Sequence, residues 1–200
     1  MKFIQIAGFL GSGKTTTIIA LSKELVKKGK KVAIIVNEIG EIPVDAKVIS
    51  EYGLKVVDIG GGCICCELIV NLAYTLEELT KLYSPDMVFI EPSGVAIPSS
   101  IDSSLTVMKI PIEKGPIIVL FDGIRGEELL SEEGLSDFIK RQLLSANIIA
   151  INKIDLLNEE RIKLFEELLR NINSNAKILK ISAKNGYGLN ELINEIIGVK

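Results

Sequence analysis

Short apolar runs rich in isoleucine and valine recur at residues 2–7, 31–36, 54–59, 87–90, 117–121, 148–151 and 178–181. Each has the length of a strand, and such near-continuous apolar runs mark strands buried on both faces. Between them the apolar spacing changes to that of a helix. Residues 14–28 run up to Gly29, residues 67–82 place leucine at Leu68, Leu72, Leu76 and Leu79, and residues 159–172 carry Ile162, Phe165, Leu168, Leu169 and Ile172. A last helix is expected over 189–197. Strand and helix in alternation predict an α/β fold: a mostly parallel sheet of about seven strands with helices on both faces. Its ligands sit beyond the carboxyl ends of the strands. Residues 38–53, interrupted by Gly40, Pro43 and Gly53, are the least regular stretch and a candidate mobile loop. No linker, internal repeat or low-complexity segment divides the chain, so one domain is expected over 1–200, with no separate C-terminal domain.

Composition narrows the partners. The chain has 200 residues, 48% of them hydrophobic and 24% charged, as expected of an ordinary globular domain with a sizeable core. A formal net charge of -3 without a lysine or arginine run argues against a nucleic-acid or membrane surface and in favour of small molecules and proteins. The N-terminal apolar stretch is too short for a signal peptide and no segment approaches a membrane span, which places the protein in the cytoplasm, where thiols stay reduced.

The first chemical motif is Gly8-Phe9-Leu10-Gly11-Ser12-Gly13-Lys14-Thr15, between an expected strand and an expected helix. Gly8, Gly11, Ser12 and Gly13 let backbone N–H groups face phosphates at a positive helix terminus, with Thr16 in the same first turn. Lys14 reaches the β and γ phosphates and Thr15 offers its hydroxyl to magnesium. A dinucleotide fingerprint fails because the third glycine of that pattern is missing. Two carboxylates close strands: Glu91, opening Glu91-Pro92-Ser93-Gly94, and Asp122. Glu91 is suited to holding magnesium through water or orienting the attacking water, and Gly94 to bringing its backbone to the γ phosphate, whereas Asp122 is equally well explained as a solvated acid. In Asn152-Lys153-Ile154-Asp155 a buried Asp155 carboxylate accepts guanine N1–H and its amino protons, which adenine cannot match. Ser182-Ala183-Lys184 then supplies a backbone amide to the guanine carbonyl oxygen.

Cys63, Cys65 and Cys66, the only cysteines, follow three glycines in Gly60-Gly61-Gly62-Cys63-Ile64-Cys65-Cys66. Clustered thiolates repel one another, and a divalent cation relieves that repulsion while binding each. Three soft ligands suit Zn²⁺, Co²⁺ or Ni²⁺, the fourth being water, Glu38, Glu41 or a residue of a second subunit. Small buried cysteines and a redox pair of Cys63 with Cys66 are the competing explanations.

Taken together, the phosphate loop through Thr16, Val36-Asn37-Glu38-Ile39-Gly40-Glu41, the cysteine motif, Glu91-Pro92-Ser93-Gly94 and Asn152-Lys153-Ile154-Asp155 resemble the CobW-like branch of the SIMIBI-class metallochaperone GTPases. Relatives are the nickel-insertion GTPases of hydrogenase and urease; the urease type carries a Cys-Pro-His metal motif, and this chain has no histidine. The resemblance implies a P-loop NTPase domain that hydrolyses GTP, with Lys14 and Glu91 catalytic and Thr15, Glu38 and Glu91 around Mg²⁺. It also implies a nucleotide-dependent homodimer and delivery of metal or metal cofactor to a client protein. Such proteins commonly carry a second, C-terminal domain, often with histidine-rich stretches. A non-catalytic nucleotide-gated metal sensor, and a small-molecule kinase using the same loop, are the alternatives, although no arginine-rich lid stands out.

Overall fold

The computed structural model describes residues 1–36, 53–58, 67–107 and 111–198. Strands β1 (Lys2–Gly8), β2 (Val32–Val36), β3 (Lys55–Asp58), β4 (Met87–Glu91), β5 (Glu113–Asp122), β6 (Ile148–Asn152) and β7 (Lys177–Lys180) form one sheet in the order β3-β2-β4-β1-β5-β6-β7. Each neighbouring pair runs parallel. Helices α1 (Lys14–Lys27), α2 (Glu67–Leu82), α3 (Pro98–Val107), α4 (Gly126–Ser131), α5 (Ser136–Leu144), α6 (Glu159–Ile172) and α7 (Leu189–Ile197) complete the described residues.

Side chains alternate between two apolar layers, which explains why the strands show no polar face. Ile4 and Ile6 of β1 pack with Ile18, Leu21 and Leu25 of α1 and with Leu192, Ile193 and Ile196 of α7. On the opposite face, Ala7 joins Ile139, Leu143, Phe165 and Leu169, and Phe3 joins Leu72, Leu76, Leu79, Ile101 and Leu105. Connections from β1 and from β5 leave in opposite directions along the sheet. The crevice between their carboxyl ends is therefore the place where ligands sit in such folds.

The expected seven strands are present, but β5 begins earlier, at Glu113, and runs through Pro116. Its pairing with β1 shifts between Phe3 and Gln5, so Gly115-Pro116 bulges opposite Ile4, a position that tolerates a residue without an N–H. Helices α3, α4 and α5 were not expected. In α3 the buried apolar anchors among the described side chains are Pro98, Ile101 and Leu105, while Ser103, Ser104 and Thr106 bond back to the preceding turn: Ser103 and Ser104 each donate to the carbonyl four residues earlier at 2.9 Å, and Thr106 at 3.2 Å. The candidate mobile loop lies largely outside the described residues.

Candidate functional site

The phosphate-loop glycines fold as their spacing demands. Gly13, at the N-cap of α1 with φ 95°, offers no side-chain cap, so the first N–H groups of the helix are left for a ligand. A Cβ there would lie 2.5 Å from Asn152 Nδ2, which excludes any other residue without local rearrangement. Gly8 closes β1, Gly11 is exposed, and Ser12 is buried with its hydroxyl unpartnered among the described residues. Lys14 is buried at 7% exposure, and Thr16 is exposed on the first turn.

Across from the loop stands Glu91, the last residue of β4. Thr15 Oγ1 donates to both of its carboxylate oxygens, at 2.8 and 2.9 Å. Gly94 lies against the loop: a Cβ on it would be 3.1 Å from the backbone nitrogen of Leu10. Sequence reasoning missed what holds this segment from behind. Gln142 of α5, 1% exposed, donates from Nε2 to the carbonyls of Gly94 at 3.1 Å and Ala96 at 2.8 Å. The signal was readable, because residue 142 belongs to the apolar stripe of Leu135, Ile139 and Leu143 and is the polar member of it.

On the other side Asn152 is a clamp. Its Nδ2 donates to the Ser12 carbonyl at 2.8 Å, and its Oδ1 accepts from the Ala183 N–H at 3.1 Å. Lys153 takes a left-handed φ of 66° and donates from Nζ to the Gly11 carbonyl and to Asp122 Oδ2, both at 2.8 Å. Asp122 is therefore no solvated acid. At 3% exposure it also accepts from the N–H of Ile124 at 3.0 Å, and it pins Lys153 under the phosphate loop. Ser182, buried, pairs its N–H with the Tyr187 carbonyl at 3.0 Å. Asp155, expected to be buried, is exposed, because the short 3-10 turn Ile154–Leu156 that carries it buries none of its residues. A pocket of about 670 Å³ is lined by Gly11, Gly13, Lys14, Thr15, Thr16, Glu91, Ala183 and Lys184 together with Leu10, Ile19, Ala20 and Lys23. Glu38 and Glu41, and Cys63, Cys65 and Cys66, lie outside the described residues.

Residues 2–180 match the model of the CobW/HypB/UreG nucleotide-binding domain. The chain belongs to the CobW/HypB/UreG family. Members of this family are GTPases. Zinc-regulated GTPase metalloprotein activator 1 of Dictyostelium discoideum is 29% identical over 226 residues, covering 94% of this chain and 47% of that protein. The zinc chaperone YeiR of Escherichia coli K12 is 35% identical over 159 residues, 78% of this chain and 47% of its own length. The chain thus spans about half the length of these two relatives. Among solved structures, the hydrogenase maturation factor HypB of Archaeoglobus fulgidus superposes with a TM-score of 0.71 at 22% identity, covering 100% of this chain and 90% of that one. Zn(II)-bound YjiA GTPase of E. coli gives 0.67 at 24% identity, over 95% and 62%. At these identities the likeness shows the P-loop GTPase fold. No described helix of this CobW/HypB/UreG member is long and apolar enough to cross a membrane.

Proposed function

We propose that this chain hydrolyses GTP in the cytoplasm and uses the nucleotide state to hold a transition metal and hand it to a client protein, as a nucleotide-dependent dimer. The observation that carries this is the convergence of the phosphate loop, Glu91 and Ala183-Lys184 on one pocket. Backbone N–H groups at the start of α1 and the Lys14 ammonium meet the β and γ phosphates. Asp155, exposed in the turn after β6, accepts from the guanine N1–H and amino group. Since Asn152 Oδ1 takes the Ala183 N–H, the guanine carbonyl oxygen meets the amide of Lys184. The Thr15 hydroxyl and Glu91 carboxylate are hard oxygen donors already side by side, a set that fits Mg²⁺ better than a softer ion. Thr15 and Glu91, with Glu38, would hold Mg²⁺, which neutralises phosphate charge when bound. Glu91 also orients water toward the γ phosphate, whose position is set by Lys14 and the Gly94 backbone.

Cys63, Cys65 and Cys66 are assigned to the cargo metal, and the zinc chaperones among the relatives favour Zn²⁺ over Co²⁺ or Ni²⁺. Titration of cobalt into protein loaded with GDP or with a non-hydrolysable GTP analogue, followed by the thiolate-to-cobalt charge-transfer band, tests the proposal. Metal affinities should differ between the two states by about 5- to 150-fold, with GTP affinity changed by the same factor when metal is bound. Equal affinities refute nucleotide-controlled loading, and absence of the band returns the cysteines to a structural or redox role.

A further inference from the structure

We propose that Gln142 is a positioning residue for the γ phosphate: it sets the height of the Glu91–Gly94 loop over the phosphate loop, and so lets the site tell GTP from GDP. That role rests on the assignment of Gly94 to the γ phosphate. A primary amide on the apolar face of α5, flanked by the buried Ile139 and Leu143, costs stability unless its donors are satisfied. Both are aimed at one short stretch of backbone, the Gly94 and Ala96 carbonyls. Because one nitrogen serves two carbonyls two residues apart, it fixes the Gly94–Val95 and Ala96–Ile97 peptide planes at once. The same stretch is closed by Ala96 N–H donating to the Ser93 carbonyl at 2.9 Å. A Gly94 Cβ would meet Leu10 N on the side of the phosphate loop, so the segment is held between α5 and that loop. Gln142 and Ser12 moreover line one small cavity behind the phosphate loop, so helix and loop share a wall. GDP does not touch this arrangement at the γ position, whereas GTP does.

The test compares the affinities of GDP and of a non-hydrolysable GTP analogue in two variants. Gln142→Met keeps the volume and removes both donors. GDP affinity should stay within about twofold while the analogue binds about tenfold more weakly, the effect of one lost hydrogen bond at the γ phosphate. Equal weakening of both nucleotides, or no change in either, overturns the proposal. Gln142→Glu gives a readout that mere packing would not move. Protonated, the introduced carboxyl donates to one carbonyl; ionised, it repels both. Its deficit in analogue affinity relative to the wild type should therefore widen as pH rises from 5.5 to 8. Among the described residues Asp122, paired with Lys153, is the titratable side chain native to that cavity's lining, and the chain has no histidine, so the wild type supplies the baseline. A deficit independent of pH overturns the proposal even if Gln142→Met fails to fold. Wild-type protein that binds no guanine nucleotide would overturn the GTPase proposal with it, whereas normal wild-type binding with indifferent variants strikes Gln142 alone.

Discussion

Replacing Asn152 with alanine removes the clamp that joins the phosphate loop to the Ser182-Ala183 turn, and its cost can be worked from two bonds. Asn152 is 3% exposed, and its amide satisfies the Ser12 carbonyl on one side and the Ala183 N–H on the other. Alanine leaves both backbone groups without that partner, and an unsatisfied buried polar group costs about 1–3 kcal/mol. The expected loss for nucleotide-free protein is therefore about 2–6 kcal/mol, a large share of the roughly 5–15 kcal/mol typical of a domain. For a domain of this size that corresponds to a fall in Tm of roughly 4–24 °C. Urea denaturation of the nucleotide-free variant measures it directly, with Asp155→Ala as the control: Asp155 is exposed, so its removal should change stability by less than about 0.5 kcal/mol. A loss for Asn152→Ala as small as the control's would refute the clamp and leave Asn152 a contributor to ligand binding alone.

Asp155→Asn should lose GTP and gain xanthosine triphosphate, because the amide donates to the carbonyl that replaces the guanine amino group; unchanged GTP affinity by fluorescence titration, or wild-type preference for ATP, would remove guanine from the site. Lys14→Ala should abolish tight nucleotide binding, as measured by retention of nucleotide on gel filtration. Glu91→Gln should retain nucleotide and lower kcat by about 10², whereas full single-turnover activity would take Glu91 out of the reaction. Removing Cys65 or Cys66 should weaken cobalt binding by orders of magnitude with GTP affinity of the metal-free protein nearly intact, and a parallel loss of both would merge the two sites.

Legibility followed the range of the interaction that fixes each element. The phosphate loop and its flanking strand and helix were readable because glycine spacing and helix-end chemistry act within a few residues. The apolar strands were readable because a parallel sheet buries them on both faces. Helix α3 was not, since its serines satisfy themselves against the preceding turn and tertiary contacts hold it in place, through burial of Ile101 and Leu105 and the bonds of the Lys114 ammonium to Asp102 and Thr106. Asp122 was legible as a strand-end acid but not as the partner of Lys153, whose left-handed backbone brings the ammonium back across to it. Gln142 needed the fold: its position on an apolar stripe was visible, but the carbonyls that justify a buried amide come from residues 46 and 48 positions earlier.

The register of the sheet bears on the proposed coupling of metal and nucleotide. Val36, the last residue of β2, stands opposite Glu91 on one side and Asp58, the last residue of β3, on the other. Adjacent strands lie about 4.8 Å apart, so the ends of β4, β2 and β3 fall within about 10 Å of one another. The chain that carries Glu38 leaves from Val36, and the chain that carries Cys63, Cys65 and Cys66 leaves from Asp58. Both therefore start level with Glu91, on the side of the sheet away from Asp155, which follows β6 across β1 and β5. If the proposed coupling runs through this edge, the two ends of the nucleotide are separable. Glu91→Gln should reduce the difference in cobalt affinity between the GDP and GTP-analogue states. Asp155→Asn, supplied with xanthosine nucleotides in place of guanine ones, should keep it, because the altered contact lies at the base. If Asp155→Asn loses the coupling while still binding the xanthosine analogue, the route runs through the base end instead, and the edge formed by β4, β2 and β3 is not what links metal to nucleotide.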